Sequence, residues 1–362
     1  MGLKFKKIKI DLVGGARPNF VKIAPLHQLL KKHKSFDVKF VNTGQHVDQN
    51  LSTKMIDDLR LSKPDYDLKV GLKSPNNQIS QIIKKYDEYL LKRNPNLVIV
   101  FGDVNSTLAI ALATNKRNIK IAHVEAGLRC YDNNLPEEVN RRLTDSISDY
   151  LFTPTRIENE NLLKENISKN IFFVGNIMID SLINFYKRSK KKKLKYGNFD
   201  VILTLHRPEN VDNIDKFRNI LVRIKNATND LKILFPMHPR TRRSFEKFNL
   251  NNFFLDWKNI KICKPLAYSE FLLQIKNTKF VITDSGGIQE ETTFLGINCF
   301  TLRENTERPI TITKGSNKLI KLTDLKKDMF KQSQKRIKNI HKWDGKTSER
   351  IIKILEKIFS IK

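Results

Sequence analysis

Cysteine is scarce in this chain: three residues in 362, at Cys130, Cys263 and Cys299, with no CxxC pair and no zinc-ligand spacing. That argues against a disulfide scaffold or zinc module and predicts a reduced, cytoplasmic setting. Long apolar runs are also missing, so no segment reads as a bilayer span. The opening Met-Gly-Leu-Lys-Phe-Lys-Lys-Ile carries charge but no hydrophobic core or small-residue cleavage site, unlike a secretory signal. Position 6 is Lys rather than Ser or Thr, which argues against myristoylation of Gly2. No GxxxxGK[ST] occurs, which argues against ATP binding by a P-loop. The turn Gly14-Gly15-Ala16-Arg17 is not GxGxxG, and Arg17 followed by Pro18 does not suit a dinucleotide wrap. A dehydrogenase reading is weakened accordingly. No cluster of His, Cys and carboxylate has metal-ligand spacing, although Asp103 with His123 stays open as a metal pair. Neither cofactor nor metal is expected.

Acidic charge is in short supply as well. Lys and Arg number 67 against 38 Asp and Glu, a net charge of +29. Such an excess fits nucleic acid, an anionic membrane or acidic small molecules. The lysines are spread over the whole chain, however. The densest run, Lys187 to Lys195, is short and carries no aromatic residue for stacking on bases. Most of the charge reads as solvated surface, and no nucleic-acid or membrane partner is expected.

What is present is a rhythm of short β-like runs alternating with amphipathic segments, the pattern of a parallel sheet. The expected strands are Ile8–Val13, Val38–Val41, Leu97–Phe101, Ile119–His123, Tyr150–Thr153 and Ile171–Val174. Helices are expected between them, among others at Pro18–Lys32, Ile79–Leu91, Ser106–Asn115 and Glu137–Ser148. A second set has strands at Val201–Leu205, Leu231–Phe235, Ile260–Ile262, Phe280–Thr283 and Cys299–Leu302. Its helices include Ile214–Ile224, Tyr268–Ile275 and Gly287–Phe294, and a long amphipathic helix starts at Thr347. A chain of this length exceeds one typical core, so two α/β domains joined near 175–198 are expected.

In parallel sheets functional residues gather on the loops that follow the strands. Polar clusters fall there: Arg17 and Asn19, Gln45 and His46, Asp103, then Glu125 and Arg129. In the second half they are His206-Arg207-Pro208-Glu209-Asn210, His238 and Asp284-Ser285-Gly286-Gly287. Several clusters at one sheet edge in each half predict a cleft between the two domains. The first half offers carboxylates, Asp103, Glu125, Glu137 and Glu138. The second offers donors and cations, His206, Arg207, His238, Ser285 and Arg308. A diphosphate against the second half and acid/base work in the first is the division this suggests. Residues 283–291 form a strand, a glycine turn and a helix, an arrangement that seats anions. There Glu291, one turn inside, is placed to accept a sugar's hydroxyls.

Each feature also has a plainer reading. The glycine turn resembles an ordinary helix cap. Asp103 could cap the next helix, Glu125 could hold Arg129, and Glu137 could serve as a first-turn acid after Pro136. His27, His33 and His341 read as surface or core histidines.

Taken in order, the motifs resemble the non-hydrolysing UDP-N-acetylglucosamine 2-epimerase family. They are Gly15-Ala-Arg-Pro-Asn-Phe-Val-Lys22, Thr43-Gly-Gln-His46, Gly102-Asp-Val-Asn-Ser-Thr107 and His123-Val-Glu-Ala-Gly-Leu-Arg129. Then come Pro136-Glu-Glu-Val-Asn-Arg141, Leu205-His-Arg-Pro-Glu-Asn210, Asp284-Ser-Gly-Gly-Ile-Gln-Glu-Glu291 and Thr306-Glu-Arg-Pro309. The resemblance implies two Rossmann-like doubly wound domains in a glycosyltransferase-B-like arrangement, with the active site in the interdomain cleft. The domains implied are 1–174, with a C-terminal helix of about 347–362 packing back on it, and a UDP-binding domain 175–346. It further implies a cytoplasmic homodimer that inverts C2 of a UDP-sugar for surface-polysaccharide precursors. On that pattern Asp103, Glu125, Glu137 and His206 are catalytic. Arg17, Lys22, Arg141, Arg207, Glu209, Asn210, His238, Ser285, Gly286, Gly287, Glu291 and Arg308 bind substrate. Gln45 and His46 mark an activator site.

Three departures stand out. Asn19 and Pro208 replace the family's usual Glu and Arg. The short stretch Cys130–Leu135 resembles relatives acting on UDP-2,3-diacetamido-glucuronic acid, whereas Thr306-Glu-Arg-Pro resembles the N-acetylglucosamine branch. Alternatives from the residues are a hydrolysing relative, a UDP-sugar transferase and a binding protein without turnover.

Overall fold

The computed structural model describes residues 7–45, 55–71, 74–189, 193–331 and 339–361. The chain divides into two compact units, Met1–Lys187 with His341–Lys362, and Arg188–Ile340. The first unit carries β1 (Ile8–Gly14), β2 (Phe36–Asn42), β3 (Tyr66–Asp67), β4 (Leu97–Phe101), β5 (Lys120–Val124), β6 (Tyr150–Thr153) and β7 (Ile171–Phe173). Its sheet runs in the order β3-β2-β1-β4-β5-β6-β7. The second unit carries β8 (Val201–Thr204), β9 (Ile233–Pro236), β10 (Ile260–Cys263), β11 (Phe280–Thr283), β12 (Asn298–Thr301) and β13 (Asn317–Leu319). Its order is β10-β9-β8-β11-β12-β13.

Every pairing in both sheets is parallel, with Ile10 opposite Val38 and Leu97, and Phe280 opposite Val201 and Asn298. Parallel strands are covered on both faces, which is why β4 (Leu-Val-Ile-Val-Phe) and β11 (Phe-Val-Ile-Thr) are buried along their whole length. Each sheet reverses its order once, between β1 and β4 and between β8 and β11. In open α/β sheets ligands bind at such a switch point. The two edge strands β3 and β13, short and weakly apolar, went unread in the sequence, as did the helix Ile177–Ser189.

That helix carries the first unit past position 174, where the resemblance put the boundary. Pro25 sits inside the helix Arg17–Leu30 and has no N–H for the carbonyl of Val21. The Ser181 hydroxyl donates to that carbonyl at 2.5 Å instead. Next to Ser181, Asp180 accepts the N–H groups of Thr347 and Ser348 at 3.1 and 2.7 Å. These two bonds cap the C-terminal helix Thr347–Ile358 and tie it to the first unit.

Candidate active site

In the first unit the loops flanking the switch point are stitched by Asn19. Its Oδ1 accepts the N–H groups of Gly15 and Ala16 at 3.3 and 3.0 Å, and its Nδ2 donates to the carbonyl of Phe101 at 2.8 Å. A Cβ on Gly15 would lie 1.8 Å from Thr43 Oγ1, so only glycine fits this turn. Beside it, Gln45 Oε1 accepts from Ser106 Oγ at 2.6 Å and from Ser106 N at 3.1 Å. Its expected partner at the activator site, His46, lies outside the described residues. Arg17 is half-buried at the first position of its helix.

One turn further in, Lys22 forms a buried ion pair with Glu125. Gly102, at φ +66°, passes close to both: a Cβ there would lie 2.8 Å from Lys22 Nζ and 3.5 Å from Glu125 Oε2. Glu125 itself sits at φ +72°, a twist uncommon for a residue with a side chain. Asp103 pairs with Arg141, whose other terminal nitrogen lies 2.5 Å from Glu138. His123 donates Nε2–H to the carbonyl of Gly102 at 2.8 Å, and its Nδ1 lies 2.7 Å from Asp145. With both ring nitrogens taken, the metal pairing of Asp103 with His123 left open by the sequence does not form. Burial alone would raise the Asp145 carboxyl, but His123 and Arg129 hold it below the usual range.

Two of the plainer readings also give way. The N-cap of the helix Asn105–Lys116 is Val104, not Asp103. Arg129 bonds to Asp145 and Glu165, both at 2.7 Å, rather than to Glu125. The third is met: Glu137 is an exposed first-turn acid, while its neighbour Glu138 is buried. The structure therefore links Asp103 with Arg141 and Lys22 with Glu125, and gives Glu137 no place in either pair.

In the second unit the hub is Asp284, at the end of β11. Its carboxylate accepts the N–H groups of His206 and Arg207, both at 3.0 Å, and Nδ2 of Asn210 at 3.2 Å. The His206 ring adds Nδ1 at 2.9 Å. Burial would raise the Asp284 carboxyl, but these donors overcome it and hold the group at about 2. The Arg207 guanidinium also donates Nε–H to the carbonyl of Asp284 at 3.1 Å. Glu209 stays exposed, 3.4 Å from Arg207. The ring of His238 lies 5.2 Å from that of His206, and its Nδ1 accepts the N–H of Arg240, capping the helix Pro239–Lys247.

Ser285 occupies the N-cap of the helix Gly286–Leu295, yet its side chain makes no cap hydrogen bond. Among the described residues the ordinary-cap reading of this turn thereby fails, because the Ser285 hydroxyl does not take up a first-turn amide. Gly286 leaves room for the ends of two side chains: a Cβ there would lie 2.5 Å from Glu307 Oε1 and 2.8 Å from an Arg308 nitrogen, so both would have to shift. Arg308 is held by Glu307 and by Glu290 at 3.0 Å. Glu291 is buried and accepts the Tyr268 hydroxyl at 2.9 Å. Burial pushes its carboxyl up to about 8, against the pull of Tyr268.

A raised carboxyl makes stability fall as pH rises. The folded chain keeps its proton from about pH 4.5, where the unfolded chain releases it, up to about pH 8. Glu291→Gln should therefore gain on the parent protein across that window. Melting temperatures of both proteins without ligand, taken from pH 5 to pH 9, check it; curves that stay parallel reject the raised carboxyl.

The sequence reading counted Glu138 among the first half's carboxylates and Asn19 in a polar loop without giving either a particular role, and it did not single out Asp145 or Tyr268. For Glu138 a signal existed, since it stands three residues before Arg141, the spacing of a helical ion pair. Asn19 reaches the local amides of Gly15 and Ala16, but its bond to Phe101 and those of Asp145 to His123 and Arg129 join groups distant in sequence and leave no local trace.

The model of the UDP-N-acetylglucosamine 2-epimerase family matches residues 28–356 of this chain. A UDP-N-acetylglucosamine 2-epimerase of Methanocaldococcus jannaschii is 39% identical, covering 96% of this chain and 99% of the relative. Pseudomonas aeruginosa UDP-2,3-diacetamido-2,3-dideoxy-D-glucuronate 2-epimerase is 36% identical, covering 86% and 88%. The crystal structure of the M. jannaschii UDP-GlcNAc 2-epimerase in complex with UDP-GlcNAc and UDP has a TM-score of 0.90 at 39% identity, covering 97% of this chain and 100% of that one.

Two doubly wound parallel α/β units with polar loops at their switch points define a glycosyltransferase-B-like enzyme. Within that class, this chain belongs to the UDP-N-acetylglucosamine 2-epimerase family, whose members here are isomerases.

Proposed function

We propose that the protein interconverts UDP-N-acetylglucosamine and UDP-N-acetylmannosamine without net hydrolysis. The observation that carries the reading is the carboxylate set at the first unit's switch point, Glu125 paired with Lys22 and Asp103 with Arg141; the second unit, taken by itself, offers a helix start at Gly286 that the Ser285 side chain does not cap. The C2 proton of the sugar is not adjacent to a carbonyl and is not acidic in the ground state. If the anomeric C–O bond breaks first, the oxocarbenium ion makes it acidic, and a carboxylate suffices as base. The departing UDP is stabilised by the glycine turn, Ser285 and His206. A glycal-like intermediate remains. Addition of UDP with a proton delivered to the opposite face inverts C2. The chemistry involves no net oxidation, so it asks for no redox cofactor.

Asp103 and Glu137 are proposed as the proton-handling pair, with Glu125 orienting. Asp103 has the stronger support, because Arg141 fixes its carboxylate. Arg17, Lys22, Arg141, Arg207, Glu209, Asn210, His238, Glu291 and Arg308 are proposed to position the substrate. The homodimer, the cytoplasmic setting and the supply of surface-polysaccharide precursor rest on the family resemblance and enter no step above.

Incubation with UDP-N-acetylglucosamine in deuterium oxide should place deuterium at C2, read by proton NMR. Absence of exchange with every UDP-N-acetylhexosamine would reject the reading. A second substrate, UDP-2,3-diacetamido-glucuronate, is favoured by the short Cys130–Leu135 stretch, and the same exchange assay on that sugar decides between them.

A further inference from the structure

Glu138 has no accessible surface, yet it is an acid. A buried carboxylate persists only when its oxygens are met by donors. Here Oε2 accepts Arg141 at 2.5 Å, the N–H of Cys130 at 3.1 Å and the Cys130 thiol at 3.2 Å, and Oε1 accepts the N–H of Tyr131 at 3.0 Å. Tyr131 stands at φ +58°, so this bond holds a turn that the backbone alone does not favour. Arg141 then reaches Asp103 with its second nitrogen. Asn140, next to it on the helix Pro136–Ile147, donates to the carbonyl of Asp103 at 3.0 Å and to Asn105 Oδ1 at 3.2 Å. Both ends of Asp103, backbone and side chain, are thus gripped from one helix.

We propose that Glu138 is a positioning residue of the epimerisation, aiming the Asp103 carboxylate through Arg141 while pinning the Cys130–Tyr131 turn to the same helix. The proposal rests on the reaction proposed above. A guanidinium shared by two carboxylates cannot swing toward either without leaving the other short of donors. The direction of Asp103 is therefore set by packing and not by solvent, the condition for a group that must meet one proton of one sugar. Glu138 differs in this from an ordinary core acid, whose loss weakens the fold without choosing a step of the reaction.

Glu138→Gln keeps the shape and removes the charge. It should lower kcat by about a hundredfold, the cost of a displacement of about an ångström at a reacting group, with KM and the affinity for free UDP unchanged. In an Asp103→Asn background the same substitution should add nothing to the loss, since it acts through Asp103. Glu138→Asp, which keeps the carboxylate, should recover part of the rate. Full kcat in a folded Glu138→Gln protein overturns the proposal, as do equal losses with and without Asp103. If Glu138→Gln does not fold, Arg141→Lys is read in its place: an ammonium lacks the fork that spans both acids, so unchanged kcat there overturns it too. A parent protein with no C2 exchange fails the reaction itself, and the proposal falls with it; exchange in the parent beside full rate in the variant fails the proposal alone.

Discussion

Asp103→Asn should slow C2 exchange by two or more powers of ten, the usual scale for a general acid or base, while the protein still folds and still binds UDP. The substitution is nearly isosteric, and Arg141 retains Glu138 as a partner at 2.5 Å. The loss should therefore appear in kcat and not in the melting temperature. Isotope exchange under single-turnover conditions, together with calorimetric titration of UDP, separates the two. A variant that exchanges at near the parent rate would remove Asp103 from the proton-handling pair and leave Glu125 and Glu137 to account for the chemistry.

Asp284→Asn should be the most damaging change in the second unit, through stability first and UDP affinity second. The carboxylate collects two backbone N–H groups, the Asn210 amide and the His206 ring. An asparagine turns one acceptor oxygen into a donor that faces other donors. Breaking such a buried charged hub costs about 3 kcal/mol or more. Its pH signature follows from the sign of the shift. A carboxyl depressed to about 2 contributes stability above about pH 4 and loses that contribution as pH falls toward 2. The gap between parent and variant in urea unfolding should therefore be full at pH 6 and shrink between pH 4 and pH 2. A gap independent of pH over that range would show that the carboxylate's charge is not what the donors hold.

Local rules read much of this fold. Leu97–Phe101 is an unbroken apolar run and Phe280–Thr283 one of β-branched and aromatic residues, the signature of buried parallel strands. The polar loops after them were legible for the same reason. What local rules missed is tertiary. β3 and β13 hold too few apolar residues to stand out. Nothing near Pro25 foretells that a serine at 181 supplies the donor the Val21 carbonyl lacks. The site shows the same split. Asp103, Glu125 and Asp284 were placed by their strand ends. Local rules could not tell Glu137, which is exposed, from Glu138, which is buried, because both sit in one helical turn and only packing separates them.

The backbone at Glu125 has a consequence for how this position can drift. A glycine would take up its left-handed twist freely, whereas glutamate bears roughly 1 kcal/mol for it. That relief is smaller than the loss it would bring, because removing the acid strands the buried Lys22 ammonium at a cost of about 3 kcal/mol or more. Variants selected only for heat resistance should therefore keep an acid at 125, and glycine should enter there only alongside a change that removes the charge at position 22.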